Sequence, residues 1–263
     1  MTVRILFIGD IMGRPGREAV KQIIPSLKKD RSCDFVIANG ENAAGGKGIT
    51  PSVAEELYRS GIDVITNGNH VWANKEIFAV IGSDPRLLRP ANFPDDMGVP
   101  GMGYGFYPLA DTYEIAVLNL IGRVYMRPYD CPFRVGKHII DEMRARTSII
   151  IVDFHAEITS EKIALGWFFD GSVSALIGTH THIPTADERI LPGGTAYITD
   201  VGMTGPYDSV IGVKKEIIIH GFLTQMPVRH VIATDDVKVC GVIITIDPAS
   251  GKALEIERIS IPT

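Results

Sequence analysis

Five short apolar runs in this chain each lead into a polar residue able to bind a metal ion. Residues 3–8 lead into Gly9-Asp10, residues 35–38 into Gly40-Glu41-Asn42, and residues 64–66 into Gly68-Asn69-His70. Residues 149–152 lead into His155, and residues 174–177 into Gly178-Thr179-His180-Thr181-His182. The first run is dense in branched residues and lacks in-out alternation, the pattern of a strand buried on both faces. Between the first runs the apolar spacing turns helical. Ala19, Val20, Ile23, Ile24 and Leu27 recur at helical intervals within 16–29, and a second helix is expected from Thr50, its N-cap, to about Ser60. This βαβαβα rhythm predicts a parallel sheet with helices on its faces. Such sheets bind ligands beyond the carboxyl ends of their strands, which is where Asp10, Glu41 and Asn69 fall.

Residues 74–81 are expected to be helical. Residues 89–108 are rich in Pro and Gly and read as a long surface excursion. Strands are expected at 113–120 and 149–153, with helical character at 133–146 and 160–169. Strand-like pieces at 194–199, 216–222, 237–246 and 254–261 predict a second, mainly antiparallel sheet. No shift in composition marks a boundary, so residues 1–263 are expected to form one domain.

Composition narrows the function. The 263 residues are 45% hydrophobic and 22% charged, an ordinary globular balance. With a net charge of −5 the chain offers no broad basic face, so stable DNA binding is not expected. An acidic protein that handles phosphate needs local positive charge, which bound metal ions would supply. Cys33, Cys131 and Cys240 are widely spaced and odd in number, so they read as reduced packing residues in a cytoplasmic protein. The first apolar run is too short for a signal peptide, and no run reaches the ~20 residues that span a bilayer.

Each polar cluster alone has an ordinary explanation. Asp10 suits a turn, Asn69 a left-handed turn residue, and His155 a hydrogen-bonded core position. The glycine-rich stretch 43–48 departs from the phosphate-loop spacing and reads as a flexible turn. Together, however, the clusters fall at one edge of one sheet. Asp, Glu, Asn and His without sulfur suit Mn, Fe or Zn. So many donors exceed the needs of one catalytic ion and suit two ions sharing a carboxylate. His180 and His182, two residues apart on an extended segment, would share a face and straddle the pair.

The order Asp, Gly-acid, Gly-Asn-His, lone His and Gly-x-His-x-His resembles the calcineurin-like metallophosphoesterases over nearly the whole chain. Residues 9–16, 39–46, 153–157 and 199–205 further resemble the YmdB-like phosphodiesterase branch. This resemblance implies an α/β fold: a two-sheet β-sandwich flanked by helices, in four αββα layers. It also implies an enzyme that uses a water activated by two metal ions to hydrolyse phosphodiesters, with 2′,3′-cyclic nucleotides opened to 3′-nucleotides. Met12 stands where the wider superfamily has a histidine, and Glu41 where it has an aspartate. On this reading Asp10, Asn42 and His182 hold one ion, Asn69, His155 and His180 the other, and Glu41 bridges them. Iron or manganese is expected, with zinc as a further candidate.

His70 is expected to act as the catalytic acid toward the leaving alkoxide. Glu157, two residues after His155, is expected either to hydrogen-bond a ligand histidine or to form a surface salt bridge. Tyr207 and Met203 are expected to line the substrate pocket, and specificity to reside in the loops at 90–108 and 202–212. His138, His220 and His230 are expected to be structural or surface residues. The alternatives are a broader phosphatase or diesterase with another substrate, and a regulatory protein acting through an RNA-metabolism partner. A homo-oligomer without membrane association is expected.

Overall fold

In the computed structural model, which describes residues 2–94, 97–109 and 112–263, the first strand enters two cores at once. Strand β1 (Val3–Ile8) is buried apart from the half-buried Arg4. Val3, Ile5 and Phe7 face a core lying between two sheets, while Leu6 and Ile8 face a second core under the helices. Alternation along a strand buried on both sides produces this division.

The first sheet is built on β1, β3 (Phe35–Asn39) and β4 (Val64–Thr66), all parallel. Helix α1 (Gly13–Asp30) and helix α2 (Pro51–Arg59) cover its outer face with Ala19, Val20, Ile24, Ala54 and Leu57. The expected cap is present: Thr50 Oγ1 accepts from the Val53 amide at 3.3 Å. On the other side of β1 the sheet continues antiparallel through β12 (Val237–Ile246), which also pairs with β13 (Ala253–Pro262) and β11 (Met203–Pro206). The short β2 (Asp10–Ile11) closes that edge beside β11.

The second sheet runs in the order β5 (Tyr104–Leu109), β6 (Tyr113–Ile121), β7 (Ile149–His155), β8 (Ala175–Thr179), β10 (Ala196–Ile198) and β9 (Arg189–Ile190). Ile115, Val117, Ile149, Ile151 and Ile177 meet β1, β3 and β12 in the inter-sheet core. The opposite face packs under α3 (Pro132–Arg144) and α4 (Thr159–Phe168). The result is the expected two-sheet sandwich between helical layers. Among the described residues no helix is long and apolar enough to cross a membrane, and the three cysteines are free.

Four local expectations are corrected. The second sheet is not mainly antiparallel, because β6, β7, β8 and β10 run parallel and the late strands β12 and β13 join the first sheet instead. Residues 216–222 are not a strand but part of helix α5 (Lys215–Thr224), which ends at a left-handed Gln225. The branched Ile217-Ile218-Ile219 run favours a strand locally, but helix propensity and strand propensity are both weak beside context. Residues 89–108 are not simply a surface loop. Arg89 and Asn92 are buried, and Tyr104–Leu109 is an edge strand. Only residues 75–79 of the expected helix at 74–81 are helical, as a 3₁₀ turn.

Candidate metal centre

The parallel strands of both sheets deliver their carboxyl ends to one place. Asp10 follows β1, Glu41 and Asn42 follow β3, and Asn69 and His70 follow β4. His155 is the last residue of β7, and His180 and His182 follow β8. The structure brings all of these together. His155 Nε2 lies 3.1 Å from Glu41 Oε1, 3.1 Å from Asn69 Oδ1 and 2.9 Å from His180 Nδ1. On the neighbouring side, His182 Nε2 lies 3.0 Å from the Asn42 amide nitrogen and 3.9 Å from Asp10 Oδ1. Glu41, His155 and His180 each place one donor atom within 4.8 Å of the others'.

These residues fit a metal centre by three tests. Donors bound at ~2.1 Å to one ion and roughly at right angles stand ~3 Å apart, which is the spacing around His155. Asp10 Oδ1 is buried with no hydrogen-bond partner, while Oδ2 accepts from the His180 amide at 3.1 Å. A carboxylate oxygen in that position costs free energy unless something positive meets it. The histidine tautomers also point the same way. The Thr179 hydroxyl gives its proton to Asp153 Oδ1 at 2.7 Å, so it accepts from His155 Nδ1 at 2.9 Å. The Ile211 carbonyl can only accept, so His182 Nδ1 donates to it at 3.0 Å. Both rings therefore keep Nδ1 on a protein acceptor and turn Nε2 inward, the arrangement that orients ligand histidines.

Electrostatics follow from burial. The Asp10 carboxyl is pushed up by burial, against the opposing pull of His182 and His155. Burial would also raise Glu41, but the charges and hydrogen bonds of His155 and His70 hold it well below the usual carboxylate range. Burial would lower His155, but Glu41 and Asp10 raise it to about 9. His180 is driven down to about 3 by burial and by the neighbouring His155.

Residues 6–259 match the sequence model of the family described as YmdB-like protein. The chain belongs to the YmdB-like family. A Bacillus subtilis protein named 2′,3′-cyclic-nucleotide 2′-phosphodiesterase is 54% identical over 259 residues, 98% of this chain and 97% of that one. A solved structure from Mycoplasma pneumoniae, described as a novel phosphatase, superposes with a TM-score of 0.93 at 37% identity, covering 100% of this chain and 94% of its own. A hypothetical protein from Thermus thermophilus superposes with a TM-score of 0.90 at 39% identity over 99% of each chain.

Several features of this YmdB-like site differ from the sequence expectation. The histidine pair does not lie on an extended segment: φ is +102° at His180 and +66° at His182. The two rings reach one site through left-handed backbone, a setting that costs ~1–3 kcal/mol at each non-glycine residue. What holds it is a buried pair absent from the sequence reading. Lys162, fully buried on α4, donates to the Thr179 carbonyl and to Asp200 Oδ2, each at 2.7 Å. The same Asp200 oxygen accepts from the Thr181 amide and hydroxyl at 3.0 and 2.8 Å. The only cue in the sequence is a lysine inside an otherwise apolar helix face. A second unforeseen layer lies beneath His155, where Asp153 accepts from Asn39, Thr66 and Thr179. Burial pushes the Asp153 carboxyl up to about 6, against the pull of His155 and these donors.

Asn42 turns its amide nitrogen toward His182 and Glu41, and its Oδ1 toward His70 Nδ1 at 2.8 Å. Glu157 does reach a histidine, His180 Nε2 at 3.0 Å. Met12 packs with Met203 and Val213 in a small apolar cluster beside the site. The adjoining cavity, about 530 Å³, is lined by Met12, Ile211, Ile218 and Phe222 as well as by Glu41, Asn42, His180 and His182. Tyr207 and Met203 do not line it. Tyr207 donates to the Met203 carbonyl at 2.9 Å behind the wall. His230, read as structural or surface, does line it, whereas His138 is exposed beside Glu142.

A methyl group on Gly68 would overlap the His155 ring and the Glu41 carboxylate. Gly68→Ala should therefore fold but lose metal in calorimetric titration, with retained affinity contradicting the placement. Lys162→Met strands a buried Asp200, which should cost ~3–5 kcal/mol in chemical denaturation. Lys162→Met with Asp200→Leu should regain much of that stability yet bind metal more weakly, because Thr181 loses its tether. Full recovery of affinity would show the pair to be structural only.

Proposed function

We propose that this chain is a metal-dependent phosphodiesterase that opens 2′,3′-cyclic nucleotides to 3′-nucleotides. The observation that carries the reading is the convergence of Asp10, Glu41, Asn69, His155, His180 and His182 in one cluster, of which Glu41, His180 and His182 line the cavity. The similar Bacillus subtilis protein named for that activity supports the substrate class.

Two bound ions, iron or manganese by donor type with zinc as a further candidate, would draw charge from the phosphate oxygens and make a water more acidic. Asp10, Asn42 and His182 would hold one, Asn69, His155 and His180 the other, with Glu41 between them. Ligation by Asn42 Oδ1 requires its amide to turn over, since the nitrogen now faces His182. The Lys162–Asp200 pair keeps His180 and His182 in place, and Glu157 orients His180 from outside.

His70 sits at the cavity rim, its amide donating to Glu41 Oε2 at 3.0 Å and its Nδ1 3.3 Å from Glu41 Oε1. These acceptors favour a proton on Nδ1 and leave Nε2 for the substrate. With a second proton on Nε2, His70 gives that proton to O2′ as the bond from phosphorus to O2′ breaks, while the attacking water bonds to phosphorus and releases a proton to solvent. The apolar wall of Ile211, Ile218 and Phe222 suits the face of a nucleobase.

We place the activity in one domain over residues 1–263, because the inter-sheet core draws on residues from Val3 to Ala253. The free cysteines support a reducing, cytoplasmic setting. The exposed Phe222, Leu223 and Met226 around the end of α5 support self-association.

Steady-state kinetics on 2′,3′-cyclic, 3′,5′-cyclic and monoester substrates test the reading. The 2′,3′-cyclic substrate should be opened selectively to the 3′-nucleotide. His70→Ala should keep its metal and lose kcat by roughly 10²–10⁴-fold. Comparable turnover of simple monoesters would favour a broad phosphatase instead.

A further inference from the structure

Beside the donor cluster lies a second cleft of about 480 Å³, which shares Asn69, His70 and His180 with it and is otherwise walled by Lys47, Tyr125 and Arg127 among others. Lys47 and Arg127 bring two positive charges to the wall of this cleft. Among the described residues, neither side chain is engaged by a carboxylate or by a hydrogen bond within the chain. Lys47 is exposed at the end of the glycine-rich turn and lines both clefts.

The loop that carries Tyr125 and Arg127 is pinned. Buried Asn92 donates to the Ile121 carbonyl at 2.8 Å and the Asp130 carbonyl at 2.9 Å, and accepts from the Ile121 amide at 2.9 Å. Buried Glu161 accepts from the Arg123 and Val124 amides, both at 3.3 Å. Phe93 packs edge-on against Tyr129, with ring centroids 5.0 Å apart. On this fixed frame Tyr125 has φ of +59° and is 87% exposed. The backbone setting is one that L residues rarely adopt, and it holds an aromatic ring out in water at the lip of the cleft.

We infer that this cleft is a subsite for the nucleotide 5′ to the cyclic phosphate, so that the substrate class includes RNA ends terminating in a 2′,3′-cyclic phosphate. The inference rests on the phosphodiesterase reading above. In such an end the terminal ribose carries a phosphodiester on its 5′ oxygen, with a further base beyond. Arg127 and Lys47 supply charge-assisted donors for that phosphate. The Tyr125 ring supplies a stacking face for the base, which is tolerant of sequence because every base has a π-face. A mononucleotide 2′,3′-cyclic phosphate offers neither group. The overall negative charge opposes extended contact with a polyanion, so the reading is confined to chain ends.

The test compares kcat/KM for 2′,3′-cyclic AMP and for ApA ending in a 2′,3′-cyclic phosphate. It uses the metal-loaded full chain and the Tyr125→Ala and Arg127→Ala variants, with folding checked by thermal melting. The wild-type chain should favour the dinucleotide roughly 10-fold, within the range expected of one stacked base. Either substitution should bring the ratio of the two values down toward one. A wild-type ratio at or below one, or variants that keep the wild-type ratio, would overturn the subsite. Opening of 2′,3′-cyclic AMP without a dinucleotide preference removes only the subsite, whereas failure to open either substrate removes the phosphodiesterase reading and the subsite with it.

Discussion

Two carboxylates, Asp10 and Glu41, are buried side by side beneath the cleft, and each raises the cost of ionising the other. Like charges out of water are strongly unfavourable unless positive groups meet them. Within the chain, His155 meets part of that charge, which is why it is raised to about 9, and His70 meets part from the rim. Bound cations would meet it more fully, since Asp10 Oδ1 has no partner of its own. The rest of the site exists to keep these acids together. The glycine at position 68 leaves room for Glu41 and the His155 ring, and the parallel strands bring the acids to one edge.

The donors are held from behind rather than by one another. Asn39, Thr66, Asp153 and Thr179 form a buried polar layer that fixes the tautomer of His155, and Lys162 with Asp200 fixes the turn carrying His180 and His182. This division suits a centre whose donors must be oriented before a cation arrives, because a rigid outer layer sets the direction of each lone pair. It also explains why the two sheets meet here. β3 and β4 belong to one sheet and β7 and β8 to the other, so the polar layer ties the sheets together below the cleft.

Much of this is legible in the chain because strands buried on both faces leave a plain trace, an apolar run followed by glycine and a polar residue. Asp10, Glu41, Asn69 and His180 stand out that way, and His155 stands out by following an apolar run without a glycine. Periodicity carries no record of which strands are neighbours, so sequence alone puts the late strands in the wrong sheet. Local preference also misleads at 216–222, where three consecutive isoleucines sit on a helix that lines the cavity with Ile218 and Phe222. The His-x-His spacing suggests a strand's geometry, whereas φ values of +102° and +66° depend on Lys162, distant in sequence. Tyr125 and Arg127 give no signal at all, since what distinguishes them is exposure on a pinned loop.

The central claim is that the donor cluster is a two-ion centre. Elemental analysis of the chain purified without chelator, paired with anomalous diffraction from its crystals, tests that claim most directly. The account predicts two transition-metal ions per chain, roughly 3.5–4 Å apart, with Glu41 between them. A single ion, or none after incubation with manganese or iron, would contradict it.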